Sequence, residues 1–218
     1  MSGYVDLSHT IEEDISVFKT LPAPRIYPYF THEESRASYN DKSMFEVTTM
    51  EFQTSCGTYM DSPYHRYPEG KDISRIGLEQ TILEGVVVDV SDKGRKEPIV
   101  VGDIPHNRLD DRAVLFYTGW DRWWKKEEYH QYPYLSREAA EFLLEKGVKL
   151  VGIDTINIDN PRDDYRPVHT LLLKNDILIV ENLCNLAKLI GRKFTFFACP
   201  LKVKKAAAFP VRAFATVD

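Results

Sequence analysis

Short apolar runs recur along the chain and predict a sheet-rich fold with few helices. Aliphatic and β-branched residues predict strands over residues 85–90, 113–117, 149–153 and 177–180, and two later strands over 194–198 and 206–215. The clearest helix covers residues 136–146, with Ser136 as its N-cap and Gly147 as its C-terminal stop. Strands outnumber helices and do not alternate regularly with them, so we expect a mixed α/β fold built on a mixed sheet.

Residues 55–65, which read Ser-Cys-Gly-Thr-Tyr-Met-Asp-Ser-Pro-Tyr-His, carry the first group of reactive side chains. In a fully extended segment Asp61 and His65 would stand roughly 13 Å apart, too far to share a substrate. Pro63 fixes its own φ and favours a bend that brings them together. A carboxylate and an imidazole held together suit the activation of water. An ordinary turn, with Asp61 capping backbone amides, is the alternative.

Residues 167–183 carry the second group. The run 177–180 predicts a buried strand with Glu181 directly after it, and His169 lies as far before Asn175 as Glu181 lies after it. A hairpin or a short helix that turns into the strand would bring His169 and Glu181 together, and we favour the helix. A surface glutamate and a helix-capping histidine are the alternative. Asp154, at the end of another predicted strand, is a weaker candidate to support the same site.

Together, these segments resemble the cyclase family of metal-dependent hydrolases, which includes the bacterial kynurenine formamidases. The family motif H-x-G-T-H-x-D-x-P-x-H aligns without a gap with residues 55–65, and the family's downstream histidine and glutamate match His169 and Glu181. Further family-like runs extend over most of the chain. The resemblance implies a single domain over residues 1–218 with a swivelling β/β/α arrangement, and an assembly that is a homodimer or a homotetramer.

Members of this family hold two metal ions, and the resemblance implies that this chain has lost one of the two sites. The two motif histidines of the first site correspond to Ser55 and Tyr59, which are poor ligands for a divalent transition metal. The second site is retained as Asp61, His169 and Glu181. We therefore expect one divalent metal, zinc or manganese, or none.

The resemblance also implies that His65, which matches the family's last motif histidine, is the general acid/base. In a metal-free site, we expect the Tyr59 hydroxyl to donate a hydrogen bond to a carbonyl or oxyanion and so to replace part of the Lewis acid. Ser55 is expected to contact the substrate. Phe18 lies where the family carries a substrate-facing tryptophan, and lines the pocket or packs in the core. Cys56 is a rival nucleophile near His65, but its position in the alternation of an extended segment points away from Asp61 and His65, which favours a buried, inert thiol.

These residues predict a hydrolase of an amide, formamide, cyclic imide or lactone bond in a small molecule, with water activated by His65. A relative that has lost hydrolysis and binds a small aromatic or carboxylate ligand is the alternative, which Ser55 and Tyr59 favour. An isomerase or lyase that uses His65 as a simple base is a third reading.

Composition limits the partners of the chain. A net charge of −5 over 218 residues argues against nucleic acid and anionic membranes. No apolar run approaches the roughly 20 residues that cross a bilayer. The start of the chain lacks the features of a signal peptide, and its three cysteines are widely spaced, so we expect a cytoplasmic protein.

Overall fold

The computed structural model describes residues 3–15, 18 and 21–217. Within them the chain forms thirteen strands and three α-helices. The strands are β1 (Gly3–Asp6), β2 (Arg25–Phe30), β3 (Val47–Glu51), β4 (Tyr59–Asp61), β5 (Ile82–Asp89), β6 (Pro98–Ile99), β7 (Ala113–Tyr117), β8 (Tyr134–Leu135), β9 (Leu150–Ile153), β10 (Leu178–Glu181), β11 (Phe194–Phe197), β12 (Ala208–Pro210) and β13 (Phe214–Val217). The helices are α1 (His32–Ser38), α2 (Arg137–Glu145) and α3 (Pro167–Lys174).

One nine-stranded sheet, in the order β1-β13-β11-β5-β7-β9-β10-β4-β12, organises the fold. The neighbouring pairs from β5 to β10 are parallel and the outer pairs are antiparallel. This confirms the prediction of a mixed α/β fold with a mixed sheet and few helices. The swivelling arrangement and the single domain over residues 1–218 stay predictions.

The sheet is curled, which follows from how its last two strands are joined. The sequence pattern over residues 206–215 predicts one strand, but the structure has two, and this prediction was wrong. Pro210 ends β12 at one edge of the sheet, and Phe214 begins β13 next to the opposite edge. Four residues span at most about 14 Å, whereas seven strand spacings in a flat sheet would measure about 34 Å. The edges must therefore curve toward each other.

Apolar side chains are buried on both faces of the central strands. On β7, Val114 and Phe116 belong to the core beneath the helices, while Ala113 and Leu115 belong to the core on the opposite face. Near-continuous apolar strands of this kind are expected in the parallel part of a sheet that is covered on both sides. The covering helix α2 begins after Ser136, whose side chain accepts a hydrogen bond from the Ala139 amide as predicted.

The segment 25–51, here called the arm, lies outside the large sheet. β2 and β3 pair only with each other, and α1 connects them. Most of the side chains of both strands are exposed. The arm therefore buries little of its own apolar surface against the rest of the chain.

None of the helices in the described part of the chain combines the length and apolar character that spanning a membrane requires.

Asp154 joins the ends of two central strands. Its Oδ1 accepts hydrogen bonds from the Thr118 amide at 2.9 Å and the Thr118 hydroxyl at 2.6 Å, and its Oδ2 accepts one from the Gly119 amide at 2.8 Å. The side chain is fully buried. Asp154 therefore fixes the loop after β7 to the end of β9, and its carboxylate supports the fold rather than the candidate site.

Replacing Asp154 with alanine would leave three buried donors without an acceptor. We expect Asp154→Ala to lower the free energy of unfolding by about 3 kcal/mol, measured by urea denaturation. Asp164→Ala, which removes an exposed carboxylate from a nearby loop, is the control and should change it by less than about 0.5 kcal/mol. Equal stability of the two variants would contradict this structural role.

Candidate active site

The antiparallel pair β4 and β10 brings three predicted site residues to one face of the sheet. Tyr59 lies directly opposite Glu181, and Asp61 lies opposite Ile179. Since side chains alternate along a strand, Tyr59, Asp61 and Glu181 all point to the face on which Ile179 meets the core under the helices. Met60 and Val180 point to the opposite core. The three polar side chains are buried.

The bend predicted at Pro63 is present and is a 3₁₀ turn over Pro63–His65. It folds the chain back at the end of β4, so that Nδ1 of His65 lies 3.5 Å from Oδ1 of Asp61. About a third of the His65 side chain is exposed. Because Nδ1 faces the carboxylate, Nε2 is the nitrogen left to exchange protons with a ligand.

Helix α3 supplies the second imidazole, which confirms the predicted helix before β10. Its buried face consists of Val168, His169, Leu172 and Leu173, the spacing of an amphipathic helix packed on a sheet. His169 is thus carried on the apolar face and directed at the strands. Its Nε2 lies 3.5 Å from Oδ2 of Asp61 and 3.5 Å from Oε1 of Glu181.

Asp61, His169 and Glu181 form a group that can hold a metal ion. One ligand atom from each lies within 4.8 Å of the other two. Both carboxylate oxygens of Asp61 are buried and lack a hydrogen-bond partner among the described residues. A buried carboxylate without donors is costly unless a cation or a proton neutralises it. The residues therefore fit a divalent cation.

Asp159 orients His169, a contact that sequence patterns do not reveal. Oδ2 of Asp159 lies 2.6 Å from Nδ1 of His169, and its two oxygens accept hydrogen bonds from the Val168 and His169 amides at 2.8 and 3.1 Å. A carboxylate on the distal nitrogen of a histidine fixes the ring and directs the other nitrogen at the site. The loop between β9 and α3 contains Asp154, Asp159 and Asp164, and of these only Asp154 was predicted to support the site.

The charges of this cluster shift one another's pKa values. Burial lowers the pKa of His169, but Glu181, Asp159 and Asp61 outweigh it and raise the pKa to about 10. Burial also raises the pKa of Glu181, although His169 opposes this. For His65 burial is the main effect, and it lowers the pKa despite the nearby Asp61. His65 is therefore neutral at neutral pH, as a general base must be.

Tyr59 occupies the position of a motif histidine and donates its hydroxyl proton to Oε2 of Glu181. Burial, with the charge of Glu181 next in size, raises the pKa of the phenol well above its ordinary value. The hydroxyl therefore stays protonated and acts as a donor. The remaining oxygen of Glu181 accepts a hydrogen bond from the Ile158 amide at 2.7 Å.

Hydrogen bonds around Asn182 fasten the motif loop to the end of β10. Its Nδ2 donates to the Gly57 carbonyl at 2.6 Å, and its Oδ1 accepts from the Tyr129 hydroxyl at 2.8 Å. The Thr58 hydroxyl donates to the Asn182 carbonyl at 2.5 Å. Gly57 has a φ of 63°, and a Cβ there would lie 2.8 Å from Cγ1 of Ile11. Glycine is thus required at this turn.

A cavity of about 220 Å³ opens over the cluster. Phe18, Ser55, Tyr59, His65 and His169 all line it, so these predicted site residues converge on one space. Asp61 and Glu181 lie buried beneath the histidines. Residues not predicted to contact a ligand complete the lining, and they are Leu21, Arg66, Asn157 and Arg166.

Cys56 is buried and does not line this cavity. Burial raises the pKa of its thiol to about 11, so the thiolate that a nucleophile requires is scarce at neutral pH. The prediction of a buried thiol at this position is confirmed.

Comparison with known proteins places these residues in a family. Residues 5–160 match the model of the cyclase family. The kynurenine formamidase of Erythrobacter litoralis is 30% identical over 164 residues, which are 75% of this chain and 74% of that protein. The kynurenine formamidase of Bacillus mycoides is 27% identical over 212 residues, covering 97% of this chain and 96% of that protein.

Solved structures show the same fold. Isatin hydrolase A from Ralstonia solanacearum superposes with a TM-score of 0.87 at 23% identity, over 100% of this chain and 92% of that one. Isatin hydrolase A from Labrenzia aggregata, bound to benzyl benzoate, gives a TM-score of 0.86 at 23% identity, over 99% of this chain and 94% of that one. The family predicted from residues 55–65, 169 and 181 is confirmed: the chain belongs to the cyclase family.

Proposed function

We propose that this protein hydrolyses an amide, formamide, cyclic imide or lactone bond in a small molecule. The observation that carries the proposal is the convergence of Asp61, His65, His169 and Glu181 beneath one cavity. A pocket that only binds a ligand has no evident need for this set. Relatives named kynurenine formamidase, and isatin hydrolases of the same fold, support the reaction class.

His65 is the general base and acid of the proposed reaction. Its neutral imidazole removes a proton from a water molecule in the cavity, and the resulting hydroxide attacks the carbonyl carbon. The tetrahedral intermediate then collapses, the bond to the leaving nitrogen or oxygen breaks, and His65 returns the proton to that atom. Asp61, 3.5 Å from Nδ1, stabilises the imidazolium formed between the two transfers.

Asp61, His169 and Glu181 would hold one divalent ion, zinc or manganese, at the bottom of the cavity. When bound, such an ion polarises the carbonyl and lowers the pKa of water. Asp159 would keep Nε2 of His169 directed at this position through its contact with Nδ1. The resident ion would also offset the charge of the buried carboxylates.

Three further residues contact the substrate in this proposal. Tyr59 donates a hydrogen bond to the developing oxyanion. Because the same hydroxyl donates to Glu181, the substrate competes with Glu181 for this hydrogen bond. Ser55 and Phe18 line the cavity and contact the substrate body.

One observation favours the alternative, a relative that binds a small aromatic or carboxylate ligand without hydrolysing it. The Tyr59 hydroxyl is bonded to Glu181, so it occupies one acceptor site of a proposed metal ligand. This alternative keeps the cavity and predicts binding without turnover.

We also infer that the arm mediates self-association into a homodimer or a homotetramer. Eight of the fifteen exposed large hydrophobic side chains of the described residues lie between positions 27 and 50. Phe45 contacts the rings of both Phe30 and Tyr39, so part of this apolar surface is continuous. Contiguous apolar surface on a soluble protein marks an interaction site.

The role of His65 is tested by His65→Ala. We expect kcat to fall by about 10²- to 10⁴-fold, the contribution of general acid/base catalysis, in assays with N-formyl aromatic amines, cyclic imides and lactones. His106→Ala, which removes an exposed imidazole that does not line the cavity, is the matched control and should keep full activity. If the wild-type protein binds members of the panel but converts none, the binding alternative replaces the hydrolase.

The metal assignment is tested on protein purified without chelator. We expect one zinc or manganese ion per chain by elemental analysis, and its loss in Asp61→Asn, because the substitution removes a ligand charge from a buried site. Asp164→Asn carries the same chemical change on an exposed loop and should keep the ion. Metal retained by Asp61→Asn would overturn the ligand set.

The arm is tested by introducing charge into its apolar surface. We expect the wild type to sediment as a dimer or tetramer, and Tyr29→Asp combined with Met50→Asp to shift it to the monomer, because carboxylates would have to be buried at the interface. Leu201→Asp changes a side chain outside the arm that is at least as exposed as Tyr29 and Met50, and it should leave the assembly intact. A monomeric wild type would refute self-association.

A further inference from the structure

We infer that Arg66 and Arg166 form an anion subsite that binds a carboxylate group of the substrate. This inference rests on the proposed function and narrows its substrate to small molecules that carry a carboxylate near the hydrolysed bond. Both arginines line the same cavity as His65 and His169.

Arg66 follows the general base directly in the chain. It caps the 3₁₀ turn that returns His65 toward Asp61, and it is half-buried. Its guanidinium donates a hydrogen bond to the Thr170 hydroxyl at 3.3 Å and so contacts α3. This contact uses one donor of five and leaves the rest available to a ligand.

Arg166 reaches the same cavity from the start of α3, where it is the N-cap residue. It precedes Pro167 and has a φ of 48°, a left-handed backbone that is uncommon for any residue but glycine. Its Nη1 donates to Oδ1 of Asn157 at 2.8 Å. Asn157 is buried, and the same oxygen accepts from the Asp159 amide at 2.8 Å. The guanidinium is therefore held in place by the loop that also orients His169.

Neither guanidinium forms an ion pair within the described residues, whereas Arg112, the other half-buried arginine among them, pairs with Glu84. Two like charges that converge on a half-buried space are stabilised by an anion between them. Arginine binds carboxylates through paired hydrogen bonds.

The charge of the cavity floor favours a monoanion. Asp61, Glu181 and Asp159 lie beneath the histidines, so a dianionic phosphate would meet more repulsion than a carboxylate would. The volume is also limited, since about 220 Å³ suits a molecule of one ring with short substituents. Phe18 and Arg166 also line a neighbouring cavity of about 400 Å³, where larger substituents fit.

A matched pair of substrates isolates the subsite. 2-Formamidobenzoate and formanilide carry the same formamide and differ only in the carboxylate. We expect the wild type to prefer the carboxylate-bearing substrate. Arg66→Gln and Arg166→Gln should each lower the ratio of the two kcat/KM values about 10-fold or more, because each removes a charge-assisted contact with the carboxylate. Arg162→Gln removes an exposed arginine from the loop before α3 and should keep the ratio. Arg66→Lys, which keeps the charge without the planar fork, should give an intermediate ratio.

Calorimetric binding of 2-aminobenzoate and aniline separates this inference from the hydrolase proposal. We expect 2-aminobenzoate to bind more tightly than aniline, and the difference to shrink about 10-fold or more in Arg66→Gln and Arg166→Gln. A wild type without turnover would remove the hydrolase, and the two dissociation constants would still decide the subsite. Turnover with an unchanged substrate ratio in both variants would overturn the subsite and leave the hydrolase standing. If Arg166→Gln does not fold, the substrate ratio and the two dissociation constants are measured on Arg166→Lys and Arg66→Gln instead.

Discussion

The burial of three carboxylates around one imidazole is the constraint on which the rest of the site depends. Asp61, Asp159 and Glu181 each lie within 3.5 Å of a ring nitrogen of His169, and all four side chains are shielded from water. Removing ionised carboxylates from water is expensive unless opposite charge comes with them. A proton on His169 offsets only one of the three. The cluster can therefore hold a cation.

Several parts of the fold hold this cluster together against its own repulsion. The pairing of β4 with β10 places Asp61 and Glu181 on neighbouring strands, and α3 presses His169 onto them from its apolar face. Asn182 fastens the motif loop to the strand that carries Glu181. The backbone amides of residues 158, 168 and 169 donate to the carboxylates from outside the cluster. Fixed dipoles of this kind lower the cost of keeping the charges buried.

Local patterns in the sequence predicted the elements that carry the site, while its supporting residues depend on the folded path of loops. The bend at Pro63, the helix bearing His169 and the strand before Glu181 follow from proline geometry and apolar spacing, which act over a few residues. The role of Asp159 does not follow from such patterns. The loop before α3 contains several acidic residues, and only the folded path of this loop determines which of them meets His169. The break between β12 and β13 depends on the curling of the whole sheet, which a short stretch of sequence cannot predict.

The cavity has lost one source of positive charge and has another. The loss follows from Ser55 and Tyr59, and the other source is the pair of arginines in the lining. Two motif histidines of the family hold a divalent ion, and their replacement by hydroxyl side chains removes the means of holding two positive charges at that position. Tyr59 fills the space with a neutral donor bonded to Glu181, which adds no charge. Arg66 and Arg166 place two permanent positive charges in the lining of the same cavity. Charge held there cannot polarise a carbonyl as a metal does. In the proposed reaction it would draw in an anionic substrate and hold one end of it while His65 acts on the other.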